Sequence, residues 1–406
     1  MRTYLIFLIL MALSVSCKEN SADENLILDK ALQSKIIDQE NYGLSELKKV
    51  DPDKKRIFPR TIDAEGQIVR VSKKDWTSGF YPGILWLMYD MTNDETWARE
   101  AKTYTELLES EKFNDSNHDI GFKMMSSYGQ GYRLTGNMDY REVLIQSART
   151  LISRFNENVG CIRSWDHHTD KWDYPVIIDN MLNLELLFWA SKETGDPVFA
   201  NIAVKHAQTT MQNHYRSDYS CYHVVSYDTL TGEAVKKQTR QGAFDESSWA
   251  RGQAWGLYGY TMAYRETKIP AFLNQAEHIA NYILNVAKLP DDFVPYWDFS
   301  LANNSNEPRD VSAATIIASS LYELSYYSAE NKESYVQAAD KIMNSLESDA
   351  YFNETGTSGG FLLKHSTGSK PVDSEIDVPL VYADYYYLEA LLRKKHMESN
   401  NLLTAN

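Results

Sequence analysis

Apolar and polar positions along the chain follow one repeated theme: an apolar and aromatic segment, a polar turn, and then an amphipathic segment. The polar turns carry Asn, Asp, Gly or Pro, the residues that end one helix and begin the next. They lie at 92–94, 135–137, 194–196, 267–270 and 329–332. Each turn with its two flanking segments predicts a helical hairpin, so the pattern predicts five hairpins.

The two segments of each hairpin differ in the distribution of their apolar residues. The segments before the turns, such as 79–90 and 180–190, are apolar on nearly every side, which is typical of fully buried helices. In the segment after the third turn, Phe199, Ala203 and Ala207 lie on one helical face, which predicts a half-exposed partner helix. Helices near 26–49 and 382–395 supply a sixth hairpin.

Six hairpins with irregular spacing favour a closed ring over a solenoid of short repeats. The predicted fold is all-α, an (α/α)6 barrel with the apolar helices inside. Long loops at its mouth carry Trp, Tyr, His, Asp and Arg, and long loops in a compact fold are typically functional. These loops are 112–122, 160–179, 215–250, 290–312 and 354–380. Alternation of apolar and polar residues over 219–241, around Thr231-Gly232, predicts a small β-hairpin.

The N-terminus has the layout of a bacterial export signal. Residues 1–16 contain one Arg, an apolar run too short for a stable transmembrane helix, and then small residues. Ser14-Val15-Ser16-Cys17 resembles a lipobox, which predicts Cys17 as the lipidated first residue of the mature chain, 17–26 as a tether and 27–398 as a single domain. The protein is then an outer-membrane lipoprotein, on the periplasmic or the cell-surface face, that touches the membrane only through its lipid. The alternative is ordinary secretion with cleavage nearby.

Composition and charge exclude several classes of protein. The 406 residues include 41 Lys and Arg against 56 Asp and Glu, a formal net charge of −15, which argues against a nucleic-acid partner. A hydrophobic fraction of 43% excludes a disordered chain, and three Cys exclude a disulfide scaffold. The chain has 27 Tyr and 9 Trp, which suits either stacking on sugar rings or the core of large helices.

No motif predicts a metal or a cofactor. Residues 115–119 have metal-ligand spacing but lack the glycine and the distal Glu of an EF-hand loop. His167-His168 has no Cys or HExxH partner for zinc, and the chain has no P-loop or dinucleotide fingerprint. We therefore expect a reaction that uses side chains alone.

Six segments together resemble glycoside hydrolase family 88, the unsaturated glucuronyl hydrolases, over about residues 55–395. The segments are Trp76-Thr77-Ser78-Gly79-Phe80, His118-Asp119-Ile120-Gly121-Phe122, Cys161-Ile162-Arg163-Ser164-Trp165-Asp166, Ile178-Asp179-Asn180-Met181, Ser248-Trp249-Ala250-Arg251-Gly252-Gln253-Ala254-Trp255-Gly256 and Tyr382-Ala383-Asp384-Tyr385-Tyr386-Tyr387. Each motif is weak alone, and their order makes the set specific. The resemblance implies an (α/α)6 barrel, in agreement with the helix pattern.

The resemblance also implies an unusual reaction. Polysaccharide lyases leave a 4,5-unsaturated uronic acid at the non-reducing end of their products, and enzymes of this family hydrate its C4=C5 vinyl ether. This chemistry differs from the displacement at C1 that most glycosidases use with two carboxylates. The implied partners are an unsaturated uronyl oligosaccharide as substrate and an upstream polysaccharide lyase. Glycosaminoglycans and ulvan-like sulfated algal polysaccharides both yield this terminus.

By motif match, the resemblance implies that Asp179 is the general acid and base and that Asp119 assists protonation or binds the sugar. Burial near a second carboxylate raises the pKa of a carboxyl group, which suits a proton donor. The alternative for Asp179 is a helix N-cap, because Asp followed by Asn-Met-Leu is good capping chemistry.

The remaining candidate residues are implied to bind substrate, and core packing is the alternative for each aromatic or His among them. Arg251 is expected to pair with the uronate carboxylate, and Trp255, one helical turn later, to stack on a sugar. The other residues are His118, His223, Gln241, Trp76, Phe80 and Trp165. The positive mouth that an anionic substrate needs is expected from Arg240, Arg251, Lys364, His365 and Lys370.

Two rival functions remain open on the sequence. Unsaturated rhamnogalacturonyl hydrolases share the fold and the reaction, and the Trp-Ala-Arg-Gly-Gln-Ala-Trp run fits both families. A non-catalytic glycan-binding lipoprotein would keep the aromatic residues without needing both aspartates. The presence of Asp119 and Asp179 disfavours this second rival.

Overall fold

The computed structural model describes residues 29–49, 55–302 and 304–399, and these residues form thirteen α-helical segments with a few short strands. The predicted signal peptide and the tether with Cys17 lie outside the described residues. The helices are α1 Lys30–Lys49, α2 Phe80–Thr92, α3 Glu95–Glu106, α4 Ile120–Met124, α5 Gln130–Thr135, α6 Met138–Ile152, α7 Asn180–Thr194, α8 Pro197–Asn213, α9 Ala250–Thr267, α10 Pro270–Asn281, α11 Val311–Leu324, α12 Lys332–Leu346 and α13 Val381–Glu398. A π-helical turn, Met125–Gly129, joins α4 to α5 into one continuous helix.

The helices form the predicted ring of six hairpins. The inner helices α2, α4–α5, α7, α9, α11 and α13 each pack against the next, and α13 returns to α2. Every residue of α11 is buried, whereas its outer partner α12 buries one face only. Helix α1 completes the sixth pair and lies against residues of α2 and α13. The all-α (α/α)6 barrel that the sequence predicted is confirmed.

The polar turns end and begin helices through the chemistry expected from their residues. Asp94, Asn137 and Asp196 each accept a hydrogen bond at the N-cap of an outer helix from the backbone N–H two residues later. Gly136 and Gly195 adopt left-handed φ values of 65° and 73° at the C-caps, which glycine reaches without steric cost.

Three small antiparallel sheets lie in the connections between helices. The first pairs β1 Phe58–Ile62 with β2 Ile68–Val71, and the second pairs β3 Phe155–Asn156 with β4 Cys161–Ile162. The third has the order β5 Pro175–Ile177, β6 Val224–Tyr227 and β7 Ala234–Gln238. Strands β6 and β7 are the predicted hairpin. Strand β5, which the sequence pattern did not predict, joins the loop before α7 to this hairpin.

Among the helices that the structure describes, none is long and apolar enough to cross a membrane. Over the same residues, no group of three or more His, Cys, Asp and Glu side chains is arranged to hold a metal ion.

Candidate active site

Two inner helices bring the candidate aspartates to the same end of the barrel. Asp119 directly precedes α4, and Asp179 directly precedes α7. The helices touch at Gly121, where an added Cβ would lie 2.5 Å from the Cα of Asn183. The side-chain carbonyl of Asn183 accepts a hydrogen bond from the backbone N–H of Phe122 at 2.8 Å. This close approach places two carboxyl groups next to each other at the mouth.

Asp179 occupies the N-cap position of α7 but does not cap the helix. Its side chain accepts no hydrogen bond from the backbone of the first turn, and its Oδ2 has no hydrogen-bond partner among the described residues. The side chain is 14% exposed. Burial raises the pKa of Asp179 to about 7, although the positive charge of Arg251 opposes the shift. This geometry does not support the capping alternative, so the carboxyl group is not used as a helix cap.

Asp119 has a similar environment. Its side chain is 20% exposed and makes no capping bond to α4. Burial raises the pKa of Asp119 to about 7, and the charge of Lys123 opposes the shift. The site therefore contains two carboxyl groups that titrate near neutral pH instead of near 4.

Each aspartate faces a buried histidine. His118 Nε2 lies 3.2 Å from Asp119 Oδ1, and its Nδ1 faces the side-chain amide of Asn183. His223 Nε2 lies 3.6 Å from Asp179 Oδ2, and its Nδ1 accepts hydrogen bonds from the backbone N–H groups of Arg240 and Gln241. Because His223 Nδ1 is an acceptor, the ring proton of the neutral His223 is on Nε2, the nitrogen nearer Asp179.

Burial keeps both histidines neutral. It lowers the pKa of His118 to about 3, and it lowers the pKa of His223 well below the usual value, with the positive charges of Arg251 and Arg240 acting in the same direction. Because neither imidazole is protonated, the carboxyl groups of Asp119 and Asp179 are the proton donors that these two pairs can offer. The two Asp–His pairs are thus built alike.

Strand β5 explains why His223 lies beside Asp179. Ile177 pairs with Val224 in the antiparallel register, and the backbone N–H of Ile178 donates to the carbonyl of His223 at 3.1 Å. Strand β5 therefore ends two residues before Asp179, next to the point where strand β6 begins directly after His223. His223 also packs against the indole of Trp249, with ring centroids 4.6 Å apart.

Arg251 has protein partners where the sequence led us to expect a substrate carboxylate. Its guanidinium is 1% exposed and pairs with Asp310 Oδ2 at 2.8 Å. It also donates to the backbone carbonyls of Thr367 and Gly368. The side-chain amide of Gln241 donates to the same Gly368 carbonyl at 3.0 Å. Arg251 therefore ties the loop at 367–368 to the start of α11, and its pairing with the uronate stays a prediction.

The predicted aromatic walls differ in their exposure. Trp255 is 0% exposed and packs edge-on against Phe122, with ring centroids 5.1 Å apart, so neither face of its indole is open to a sugar. Phe80 is equally buried beneath the site. Trp165 is buried and stacks on His167, whereas Trp76 is half-buried at the mouth with its ring 4.8 Å from that of Tyr382. Of these four aromatic residues, only Trp76 keeps substantial exposed area.

Several residues that shape the site were not predicted as site residues. Asn183 contacts His118 and lies one helical turn after Asp179, a spacing that was visible in the sequence. Asp310 caps α11 by accepting from the backbone N–H of Ser312, and its Asp-Val-Ser sequence is a capping signal. Its pairing with Arg251 joins residues 59 positions apart and has no local signal.

A barrel of six helical hairpins, with two buried carboxyl groups that hold protons near neutral pH, is a scaffold for acid-catalysed sugar chemistry. Fold and site define a glycoside hydrolase. The chain belongs to Glycosyl Hydrolase Family 88, whose family model matches residues 54–404. The resemblance noted in the sequence is thereby confirmed.

Relatives and solved structures agree with this assignment. An unsaturated glucuronyl hydrolase of Formosa agariphila is 49% identical over 342 residues, 84% of this chain and 85% of the relative. A crystal structure of an unsaturated glucuronyl hydrolase specific for heparin is 44% identical with a TM-score of 0.87, and the match covers 92% of this chain and 99% of the other. An aspartate-to-asparagine mutant of the Streptococcus agalactiae enzyme, complexed with dGlcA-GalNAc6S, is 31% identical with a TM-score of 0.72 over 89% and 92% of the two chains.

Proposed function

We propose that this glycoside hydrolase releases the 4,5-unsaturated glucuronic acid from the non-reducing end of lyase-generated oligosaccharides by hydrating its C4=C5 bond. The observation that carries the proposal is the free carboxyl group of Asp179. It is buried, it makes no capping bond, and its pKa is raised to about 7 by burial. A vinyl ether needs a proton donor of this kind before water can add.

Asp179 supplies the proton in the first step. The carboxyl group transfers its proton to C4, and the π electrons of the C4=C5 bond form the new C4–H bond. Positive charge then spreads over C5 and the ring oxygen. Asp179, now a carboxylate, is the base that removes a proton from the water that adds at C5. The carboxyl group is thereby restored to its starting state.

The product of hydration breaks down without further catalytic groups. The new hydroxyl at C5 makes a hemiketal, whose ring C5–O bond opens to a ketone. The freed ring oxygen takes a proton and leaves C1 as a hemiacetal, which expels the rest of the oligosaccharide as an alcohol. One water is consumed for each linkage broken.

The two histidines orient the carboxyl groups for this sequence. His223 Nε2 lies 3.6 Å from Asp179 Oδ2, and His118 Nε2 lies 3.2 Å from Asp119 Oδ1. In this scheme, Asp119 binds the sugar and assists protonation. The charge of Asp119 raises the pKa of Asp179 in addition to the larger effect of burial, so the acid keeps its proton until substrate is bound.

The names of the relatives support this substrate class. The Formosa agariphila protein is an unsaturated glucuronyl hydrolase, and the Streptococcus agalactiae structure holds dGlcA-GalNAc6S. Relatives in two streptococci are named unsaturated chondroitin disaccharide hydrolases. These names favour unsaturated glucuronyl substrates over the rhamnogalacturonyl rival. Glycosaminoglycans and ulvan-like polysaccharides remain the two candidate sources.

A panel of lyase-generated disaccharides tests the reaction. The absorbance of the conjugated double bond should fall on addition of enzyme, in the presence of a chelator and without any cofactor. Saturated glucuronides with the same linkages are the control and should not be cleaved. Equal cleavage of saturated and unsaturated glucuronides would show displacement at C1 and would overturn the hydration proposal.

We further propose that the chain is exported and anchored to the outer membrane through a lipid on Cys17, where it receives the products of a polysaccharide lyase. The Ser14-Val15-Ser16-Cys17 sequence supports this proposal. Expressed in a Gram-negative host, the chain should take up radiolabelled palmitate and fractionate with the outer membrane. The matched variant Cys17→Ala should do neither. Equal fractionation of both forms would favour ordinary secretion.

A further inference from the structure

A group of basic and aromatic side chains lies next to the two Asp–His pairs. Trp165 forms a β-bridge with Asn117, and the N–H of His118 donates to the carbonyl of Ser164 at 3.0 Å. On the other side, the backbone N–H of Arg240 donates to His223 Nδ1 at 3.2 Å. Trp165 and Arg240 are therefore each held by backbone bonds beside one histidine of the site.

The side chains of this group contact one another in a continuous chain. An Arg240 guanidinium nitrogen lies 2.8 Å from His168 Nε2, and the guanidinium lies over the Trp165 ring at 5.9 Å. The imidazole of His167 stacks on Trp165 with ring centroids 5.3 Å apart, and it contacts the ring of His168 at 4.7 Å. Both histidines are exposed. We call Trp165, His167, His168 and Arg240 the basic rim.

Arg240 of the basic rim lacks the carboxylate partner that two neighbouring arginines have. Nearby Arg154 and Arg163 both pair with Asp166. Among the described residues, the side-chain partners of Arg240 are His168 and the Trp165 ring, and no carboxylate lies within ion-pair distance. Partial burial lowers the pKa of His167, and the charges of His168 and Arg240 lower it further. The charge of Asp166 opposes this shift, but that carboxylate is already paired with Arg154 and Arg163.

Backbone geometry indicates that this arrangement is held in place. His168 adopts a left-handed φ of 56°, a region that residues with side chains seldom occupy. The backbone N–H groups of Lys171 and Trp172 both donate to the carbonyl of His168, and Trp172 also packs edge-on against Trp165. The loop therefore holds His168 next to Arg240 in a strained backbone conformation.

We propose that the basic rim binds an anionic oxygen group, a sulfate ester or a carboxylate, carried by the oligosaccharide outside the C4=C5 bond. The inference rests on the proposed function, since it assigns a specificity site for the same substrate. A guanidinium offers two parallel donors to such a group, and the exposed imidazole of His167, stacked on the buried Trp165, lies beside it. The rim selects anionic substrates and takes no part in the chemical step.

Arg240→Gln tests this assignment with four unsaturated substrates. They are an unsulfated disaccharide, one with sulfate on the sugar next to the uronate, one with sulfate on the uronyl ring, and an unsulfated tetrasaccharide with a second uronate. For the substrate whose anion reaches the rim, kcat/KM should fall roughly tenfold to a hundredfold, the range of a lost hydrogen bond to a charged group. The unsulfated disaccharide should lose less, so the ratio of kcat/KM between the two substrates should fall roughly tenfold or more. The identity of the affected substrate locates the anion.

Two further variants control for charge and for folding. Lys237→Gln removes one positive charge from strand β7, where Lys237 is exposed and lies over Tyr222 outside the rim, and it should leave the ratio between substrates unchanged. Arg240→Lys keeps the charge without the paired donors and should recover part of the loss. Thermal melting checks that each variant is folded.

The outcomes separate the two proposals. Equal losses on charged and uncharged substrates, or the same pattern in Lys237→Gln, would overturn the basic rim as an anion site while the hydration reaction stood. If the wild-type enzyme consumed none of the four double bonds, the proposed function itself would fail. The rim would then be tested by direct calorimetric titration of the same sulfated disaccharides, in which loss of binding in Arg240→Gln is expected and unchanged binding would refute it.

Discussion

At the scale of single residues, the proposed mechanism depends on keeping a carboxyl group protonated. Burial raises the pKa of Asp179 and of Asp119 to about 7 each. The general acid must carry its proton when substrate binds, so kcat/KM should fall as pH rises through about 7, tenfold for each further pH unit. A pH series of initial rates with an unsulfated disaccharide measures this. Activity that stayed constant from pH 7 to 9 would exclude either aspartate as the acid.

Asp179→Asn should abolish turnover and leave the fold intact. The amide cannot donate a proton to C4, so kcat should fall by at least roughly 10²–10⁴-fold. The melting temperature should change little, because Asp179 makes no capping bond that the substitution would remove. The matched control is Asp196→Asn, at the N-cap of α8, where Asn caps as well as Asp and turnover should be normal. Near wild-type turnover by Asp179→Asn would remove this residue from the mechanism.

At the scale of elements, the site depends on how closely α4 and α7 approach. In Gly121→Ala, the added Cβ would meet the backbone of Asn183 at 2.5 Å, so the two helices must separate. We expect a loss of about 1–3 kcal/mol in the free energy of unfolding, the usual cost of overpacking, together with a lower kcat because the two Asp–His pairs move apart. Urea denaturation and initial rates measure the two effects.

Gly129→Ala is the matched control for this substitution. Its added Cβ would meet only the flexible end of the Met125 side chain, at 3.3 Å. Alanine also favours a helical backbone more than glycine does, so stability should be unchanged or slightly higher. If Gly121→Ala behaved like Gly129→Ala, the close contact of α4 and α7 would not be what positions the aspartates.

Arg251 acts between elements, because its guanidinium joins α9 to the start of α11 and to the loop at 367–368. Lysine keeps the charge but cannot reach Asp310 and both carbonyls at once. Arg251→Lys should therefore lower the free energy of unfolding by about 1–3 kcal/mol, the cost of buried acceptors left unpaired. It should also raise KM, because Gln241 is held through the same loop. A raised KM with unchanged stability would instead assign Arg251 to the substrate carboxylate.

At the scale of the whole molecule, a second pair of buried carboxyl groups makes stability depend on pH. Asp384 on α13 and Glu40 on α1 lie where the first and last helices close the ring. Burial raises the pKa of Asp384 to about 8, and burial together with the charge of Asp384 raises the pKa of Glu40. Between the unfolded value of about 4 and these raised values, the folded protein binds more protons than the unfolded chain.

Below about pH 6.5 the buried histidines, whose pKa values burial lowers, oppose this effect because the unfolded chain binds their protons: His118, His206, His214 and His223. The free energy of unfolding should therefore decrease as pH rises from about 6.5 toward 8, and Asp119 and Asp179 contribute in the same direction up to about 7. Denaturation in urea at a series of pH values measures this slope. Glu40→Gln removes one titrating group and should reduce the slope, whereas Glu46→Gln, at the half-buried side chain that pairs with Lys49 at the surface, should not. A stability that rose steadily from about pH 6.5 to about pH 8 would contradict the prediction.

The periodicity of apolar residues was sufficient to predict the helices, their pairing into six hairpins and the closed ring. This information is local, since a helix that is apolar on every side must be buried wherever it packs. The turns could be predicted for the same reason, because Asp94, Asn137 and Asp196 form their capping bonds within two residues. The ordered motifs supplied the family and the two aspartates.

Only the tertiary structure decided which groups face each other. Phe122 packs against the indole of Trp255, Arg251 pairs with Asp310, and His168 contacts the guanidinium of Arg240. Each of these contacts joins residues that are far apart along the chain. The apolar pattern of a helix shows which of its faces is buried. It does not show which other part of the chain packs on that face. That packing is set by the register of strands such as β5 and by the distance between helices such as α4 and α7, and both arise only when the barrel closes.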